Sequence, residues 1–256
     1  MEKVQQLYRS NYSGEDVKKI GLYIDNEWKY EEEYLSYLNL NVPLSNQAVV
    51  IGNGISINEF NLNLFLPSRT VTAWGEFSNW SPSLNKKKFN TYGCNALYRN
   101  FQPDFLIATG DTFLEEIAAS DYCENNVVYA NKYALPKYQN KFHYIPQDPS
   151  YNSGAIAAYL AAFDGHKKIF LLGFDGIDTD NNIYNVYAGT KCYPSNGDTV
   201  TEDYWVQSLN HVMLTYSDVE FVRVAPASSY RTPELWKYRI NFRTISFHQF
   251  VLEADI

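Results

Sequence analysis

The run Ala48-Val49-Val50-Ile51-Gly52-Asn53-Gly54-Ile55-Ser56-Ile57 constrains this chain more than any other stretch. Its four leading residues, apolar and rich in Val and Ile, read as a core strand of a parallel sheet. Gly52 and Gly54 then permit a tight turn and close approach of backbone, and Ser56 is placed to cap a following helix. A glycine turn between a strand and a helix N-terminus offers free N–H groups to an anion, usually a phosphate. The segment therefore predicts a nucleotide site around Asn53. Ile57 stands where a dinucleotide fingerprint needs its third glycine, so the same residues also read as an ordinary strand-to-helix turn.

Further along, apolar runs alternate with helical patterns. Strands are predicted over 48–51, 70–73, 104–108, 127–130, 168–172 and 219–224, and helices over 58–64, 112–120, 154–163, 204–216 and 232–237. Alternation at this spacing predicts an α/β fold, a Rossmann-like, mainly parallel sheet with helices on both faces. The chain has 256 residues, 45% of them hydrophobic, enough for one large domain, placed at 47–256. Residues 1–46 are polar and rich in Tyr and Glu, with a helix predicted over 30–40. They read as an N-terminal arm that packs on the main domain.

The formal net charge is −8, which argues against a surface built to grip nucleic-acid phosphates. Lys86-Lys87-Lys88 sits in a polar stretch and reads as a solvated loop. No segment approaches the roughly 18–20 apolar residues of a membrane span, and Met1-Glu2-Lys3-Val4 opens no signal peptide. Cys94, Cys123 and Cys192 are odd in number and far apart, so neither a disulfide framework nor a zinc site is indicated. These features predict a soluble, cytoplasmic protein with no nucleic-acid partner and no membrane span. Homo-oligomerisation stays open.

In a parallel sheet, ligands bind at the carboxyl ends of the strands, where the strand order reverses. Polar and glycine residues form a coherent series: Gly52-Asn53-Gly54, Thr109-Gly110-Asp111 and Gly173-Phe174-Asp175-Gly176 follow predicted strands, and Gly93-Cys94-Asn95 ends the segment Phe89-Asn90-Thr91-Tyr92. Asn152-Ser153-Gly154 opens an alanine-rich helix, with Ser153 as its predicted N-cap and small residues that let it pack close to the sheet. Each turn alone is unremarkable chemistry, since Gly, Asn and Asp are common turn residues. Together they predict a ligand site.

In this order the chain resembles the bacterial sialyltransferases of glycosyltransferase family 42: strand–Gly-Asn-Gly-x-Ser, then Cys-Asn, then a Ser-Gly helix, then strand–Gly-x-Asp. Proteins similar to 6-hydroxymethylpterin diphosphokinases share the core pattern, which spans about residues 47–226. The resemblance implies an inverting, metal-independent glycosyltransferase with a CMP-linked sugar donor and a glycan or small-molecule acceptor. Asn53 and Gly54 would lie against the phosphate. Asn95, Ser153 and the backbone of Gly154 would hold the ribose, base or sugar carboxylate. Gly52, Thr109, Asp111, Gly173 and Asp175 would complete the nucleotide pocket. Tyr184 and Tyr187 would donate hydrogen bonds to the leaving phosphate in place of a metal, as fixed electrostatic stabilisation. His143, ten residues ahead of Ser153, matches the family spacing and is a further catalytic candidate.

The family's catalytic histidine has no counterpart over 196–203. Asp198 takes its place as candidate general base, with a plain turn after Gly197 as the competing reading. The family's asparagine after the third strand is replaced by Thr109 or Asp111. No cofactor is expected of a transferase of this kind. The diphosphokinase reading would instead need ATP and Mg²⁺, with Asp111, Asp175, Asp178 and Asp180 as oxygen ligands, although 178–182 also reads as a solvated loop. A third reading is a non-catalytic nucleotide- or glycan-binding protein that kept the pocket and lost the base. Of the remaining residues, His211 predicts a partly buried packing role, His166 a helix-end role, and His248 none. Trp74, Phe77 and Trp80 read equally as a sugar-stacking or lid loop and as core.

Overall fold

The computed structural model describes residues 3–9, 16–24, 27–34, 45–65, 89–138, 141–145, 149–175, 185–193, 202–225 and 231–256. The chain opens with three strands, β1 (Lys3–Arg9), β2 (Asp16–Ile24) and β3 (Glu27–Tyr34), which form an antiparallel sheet of their own. The backbone of β1 runs close to residues 134–137 and 143–144 of the following domain. Residues 30–34 are thus strand, not the start of the predicted helix, and 35–40 lie outside the described residues. Glu31-Glu32-Glu33 favours a helix locally, but strand register sets Lys18 opposite Glu33 and Lys19 opposite Glu32. Opposite charges facing across a strand pair favour the sheet.

The second sheet has eight strands, β4 (Gln47–Ile51), β5 (Asn90–Cys94), β6 (Phe105–Ile107), β7 (Val127–Ala130), β8 (His143–Tyr144), β9 (Lys168–Leu172), β10 (Glu220–Val224) and β11 (Phe242–Ile245). Their order is β11-β10-β9-β4-β5-β6-β7-β8, and every neighbouring pair is parallel. The chain builds outward from β4 to β8, crosses back to place β9 beside β4, then builds outward again. The order reverses between β4 and β9, which opens a crevice above their carboxyl ends.

Helices α1 (Asp111–Ala118), α2 (Tyr122–Asn125), α3 (Ala134–Lys137), α4 (Ser153–Phe163), α5 (Glu202–Thr215) and α6 (Glu234–Lys237) lie between strands, and α7 (Phe247–Ala254) follows β11. The central strand shows why the sheet is covered on both faces. Ala48 and Val50 join a core with α4 and α5, whereas Val49 and Ile51 point the other way, toward Phe170, Leu172 and Phe250. Successive side chains of a strand alternate between faces, so an unbroken apolar run requires two cores. All nine residues from Ala155 to Phe163 are buried, and the alanines bring α4 close to β4, β5 and β6.

The α/β class and the five predicted strands outside 70–73 agree with the structure to within two residues at their ends; 70–73 lies outside the described residues. The predicted helix over 58–64 is two 3₁₀ turns, Ile55–Glu59 and Leu62–Phe65. Asn61 Oδ1 accepts from the Asn63 N–H at 3.2 Å; such local side-chain bonds compete with an α-helical ladder.

Candidate functional site

The two turns at the switch point are locked together. The Gly52 N–H donates to the Leu172 carbonyl at 2.8 Å and the Gly54 N–H to the Gly173 carbonyl at 3.0 Å. A Cβ on Gly52 would stand 2.6 Å from the Gly173 oxygen, and one on Gly54 2.5 Å from Asp175 Oδ2. Real Cβ atoms do not come so near, so the glycines serve the close approach of the β4 and β9 turns. A Cβ on Gly173 would meet Ile57 Cγ2 at 2.6 Å, so Ile57 fills the space above that turn.

Ser56 and Asp175 complete this lock. Ser56 does not cap a helix: it is buried, its N–H donates to Asp175 Oδ2 at 2.8 Å, and its hydroxyl donates to Asp175 Oδ1. Burial pushes the Asp175 carboxyl above its ordinary range, against the Ser56 hydrogen bonds and the nearby Arg223 charge. Arg223 is fully buried and donates from Nε to the Phe174 carbonyl at 2.7 Å, from Nη2 to the Asp175 carbonyl, and from Nη1 to Thr232 at 3.0 Å. Burial brings its guanidinium down to about 10. Because Gly52, Gly54, Ser56 and Ile57 all donate inside the protein, the turn is not the open cradle of N–H groups expected of it. What it presents is the side chain of Asn53.

Around Asn53 the sheet gathers uncharged polar groups from four segments. Asn53 Nδ2 donates to the Tyr193 phenol at 2.8 Å. Asn95 Nδ2 donates to Ser153 Oγ at 2.9 Å and to the same phenol at 3.2 Å, while its Oδ1 accepts from the Thr109 N–H at 3.4 Å. Asn95 sits just after β5 with φ +47°, a left-handed conformation that Asn tolerates better than other side chains. The N-cap of α4 is Asn152, whose Oδ1 accepts from the Ala155 N–H at 3.0 Å. Ser153, predicted as the cap, is thereby released for Asn95. Asn53 Oδ1 and Asn152 Nδ2 are buried and, among the described residues, have no hydrogen-bond partner.

Residues 185–193 close the crevice on the side of the β4 turn. Asn185 bridges to Gly54, and the Val186 N–H donates to the Asn53 carbonyl at 2.9 Å. The rings of Tyr187 and Tyr193 stack with centroids 6.4 Å apart. Burial pushes both phenols up to about 12, so they remain protonated donors across the neutral range. Burial likewise takes the Cys94 thiol, beside Ser153, to about 12 and keeps it neutral. A groove of about 480 Å³ adjoins this loop, with Ile57, Phe60, Phe101 and Tyr187 among its apolar walls and Asn58, Asn61 and Asn100 among its polar ones.

The structure therefore brings together Gly52, Asn53, Gly54, Asn95, the Thr109 backbone, Ser153, Gly154, Gly173 and Tyr187, and adds Tyr193 and Asn152, which the sequence reading missed. Asp175 is present, but its carboxylate is occupied by Ser56. Asp111 is exposed in the first turn of α1, two strands away from β4. His143 lies on β8, four strand spacings or about 19 Å from β4, with its ring 5.8 Å from Tyr129. Tyr184, Asp198, Asp178, Asp180, Lys86-Lys87-Lys88 and Trp74, Phe77 and Trp80 lie outside the described residues. His211 is exposed and stacks at 6.2 Å on Tyr151, a correction to the partly buried packing role predicted for it. Its neighbours Val212 and Met213 turn into the core while His211 points away from it. Among the described residues, no three His, Cys, Asp or Glu side chains cluster as metal ligands, and no helix is long and apolar enough to cross a membrane.

An all-parallel α/β sheet with a cluster of amide and hydroxyl side chains at its switch point, among the described residues, is the class these features define. No family model and no curated protein sequence matches the chain. Among solved structures it is similar to the Campylobacter jejuni sialyltransferase CstII in complex with cytidine-5'-monophosphate, at 14% identity and TM-score 0.44, over 71% of this chain and 81% of that one. It is also similar to the monofunctional α-2,3-sialyltransferase Cst-I from Campylobacter jejuni, at 14% identity and TM-score 0.44, over 77% of this chain and 81% of that one.

Proposed function

We propose that the chain is a metal-independent glycosyltransferase that draws its sugar from a CMP-linked donor bound at the β4–β9 crevice. The observation that carries this reading is the convergence of Asn53, Asn95, Ser153 and Tyr193, with Asn53 Oδ1 left without a partner among the described residues. A buried polar atom without a hydrogen bond costs about 1–3 kcal/mol, and a bound ligand would recover that cost. The resemblance of the Gly-Asn-Gly, Cys-Asn and Ser-Gly motifs to sialyltransferases supports CMP as the nucleotide.

In this reading the second N–H of Asn53 Nδ2 and the phenols of Tyr187 and Tyr193 face the phosphate, Asn53 Oδ1 accepts from a hydroxyl of the ligand, and Asn95, Ser153 and the Gly154 backbone hold the nucleoside or sugar carboxylate. The N-terminus of α4 adds its dipole and free N–H groups. When the bond between sugar and phosphate breaks, negative charge builds on the phosphate oxygen. Protonated phenols fixed beside it stabilise that charge and need no rearrangement to do so. Tyr184, the other phenol proposed from sequence, remains a candidate third donor. Asp198 accepts the proton of the attacking acceptor hydroxyl as general base. The groove beside Tyr187 offers a glycan apolar surface and carboxamides. The phosphotransferase alternative needs Asp175 for magnesium, and that carboxylate is already engaged by Ser56.

The test is release of CMP from a CMP-sugar in EDTA, with Asp198→Asn alongside. Turnover by the wild-type chain and a loss of about a hundredfold or more in the variant, with CMP affinity unchanged, is the expected result. Binding of CMP without turnover under any acceptor condition would leave a binding protein. Turnover that requires magnesium would contradict the metal-free mechanism.

A further inference from the structure

We propose that Arg99 and Glu116 form a clamp that positions Tyr193 in the crevice, so that two residues outside the ligand contacts govern ligand affinity. The proposal rests on the nucleotide-binding reading above.

Arg99 ends the 3₁₀ turn that Asn95 begins, and Glu116 lies on α1. Arg99 Nε donates to Glu116 Oε1 and Arg99 Nη2 to Oε2, both at 2.8 Å. This two-pronged geometry fixes the guanidinium plane, which a lysine ammonium cannot do. The Tyr98 phenol also donates to Glu116 Oε1. The clamp then reaches the loop on both sides of Lys191: Arg99 Nη1 donates to Thr190 Oγ1 at 3.1 Å, Arg99 Nη2 lies 3.7 Å from Cys192 Sγ, and the Cys192 thiol lies 3.6 Å from Glu116 Oε2.

The connection from these contacts to Tyr193 is short. The Tyr193 N–H donates to the Thr190 carbonyl at 3.0 Å, and its own carbonyl accepts from the Gly189 N–H at 2.7 Å. Phe113, also on α1, holds the Tyr193 ring with centroids 5.0 Å apart. The phenol so delivered accepts from Asn53 and Asn95. With the Arg99 and Glu116 side chains 23% and 22% exposed, solvent weakens the Coulomb attraction. The directional fork and its two loop contacts are what set the position.

The experiment combines amide hydrogen exchange on the ligand-free chain with a double-mutant cycle read by CMP titration. Arg99→Met is expected to speed exchange across 187–193 about tenfold. It should weaken CMP about tenfold in the wild-type background and less than twofold in a Tyr193→Phe background, because its effect passes through that phenol. Arg99→Lys should recover only part of the loss. If Arg99→Met compromises folding, Glu116→Gln serves for the same pair of readouts. An equal loss of affinity in both backgrounds, or unchanged exchange over 187–193, overturns the clamp. If CMP does not bind the wild-type chain, the coupling to ligand falls with the nucleotide reading, and the exchange result alone then decides whether the clamp holds the loop.

Discussion

Two regions meet at the same strand ends, and they are built in opposite ways. The lock formed by Gly52, Gly54, Ser56, Gly173, Asp175 and Arg223 is closed: both Asp175 carboxylate oxygens accept hydrogen bonds, and all three guanidinium nitrogens of Arg223 donate. The neighbouring cluster of Asn53, Asn95, Ser153 and Tyr193 is joined by amides and hydroxyls, and Asn53 Oδ1 is buried without a partner among the described residues. One region holds the switch point together, and the other has hydrogen-bonding capacity to spare. A motif that looks like one ligand site thus divides into residues that build the crevice and residues that face what enters it.

The sharpest way to break this division is Asp175→Ala. It leaves the Ser56 N–H unsatisfied and removes a charge that favours the buried Arg223 guanidinium, a change expected to cost about 1–3 kcal/mol. Thermal or urea unfolding checks it, and unchanged stability with lost CMP binding would move Asp175 into the binding region. Asn53→Ala should do the reverse. A tenfold or greater loss of CMP affinity, about 1.4 kcal/mol, is expected with a melting temperature within about 2 °C of wild type.

A smaller effect concerns protonation. An ordinary tyrosine is half ionised near pH 10, but burial raises Tyr187 and Tyr193 to about 12. CMP affinity should therefore change less than twofold between pH 7 and pH 10.5, where one ordinary phenol would already cost about fourfold, as read by titration at several pH values. A steep fall across that range would mean that the phenols are more solvated than their burial implies. The smallest effect is at the clamp. Burial raises the Glu116 carboxyl, but hydrogen bonds from Tyr98 and Arg99 outweigh it and hold the group below its ordinary 4.5. Its contribution is then complete above that value and is lost as pH falls through the folded one. The gap in melting temperature between wild type and Glu116→Gln should narrow on going from pH 6 to pH 3.5.

The division also explains what the sequence made legible. Strands β4, β6, β7, β9 and β10, the β4 turn and the Cys-Asn and Ser-Gly pairs are local signals, whereas β5, β8 and β11, absent from the predicted strands, take their place by pairing in the sheet. Asp175 was also visible as a polar residue after a strand, but only the fold shows that it faces Ser56, 119 residues away. Tyr193 carries no signal of this kind: it follows Lys191-Cys192 in a polar stretch, and the partners that define it come from the ends of β4 and β5. The exchange of Asn152 for Ser153 at the α4 cap is a one-residue choice between two good capping side chains. The helix at 247–254 was within reach, because Ser246 and Gln249 form a reciprocal capping box. The helix predicted over 30–40 gives way to strand over 30–34 for the opposite reason, since strand pairing with residues 16–24 overrides the local preference of three glutamates.

The measurement that bears most directly on this account is calorimetric titration of CMP in EDTA into the wild-type chain and into Asn95→Ala. The account predicts binding by the wild-type chain and an affinity at least tenfold weaker in the variant, which removes the amide shared by Ser153 and Tyr193. Equal binding by both proteins, or no binding by the wild-type chain, would contradict the assignment of the crevice to a cytidine nucleotide.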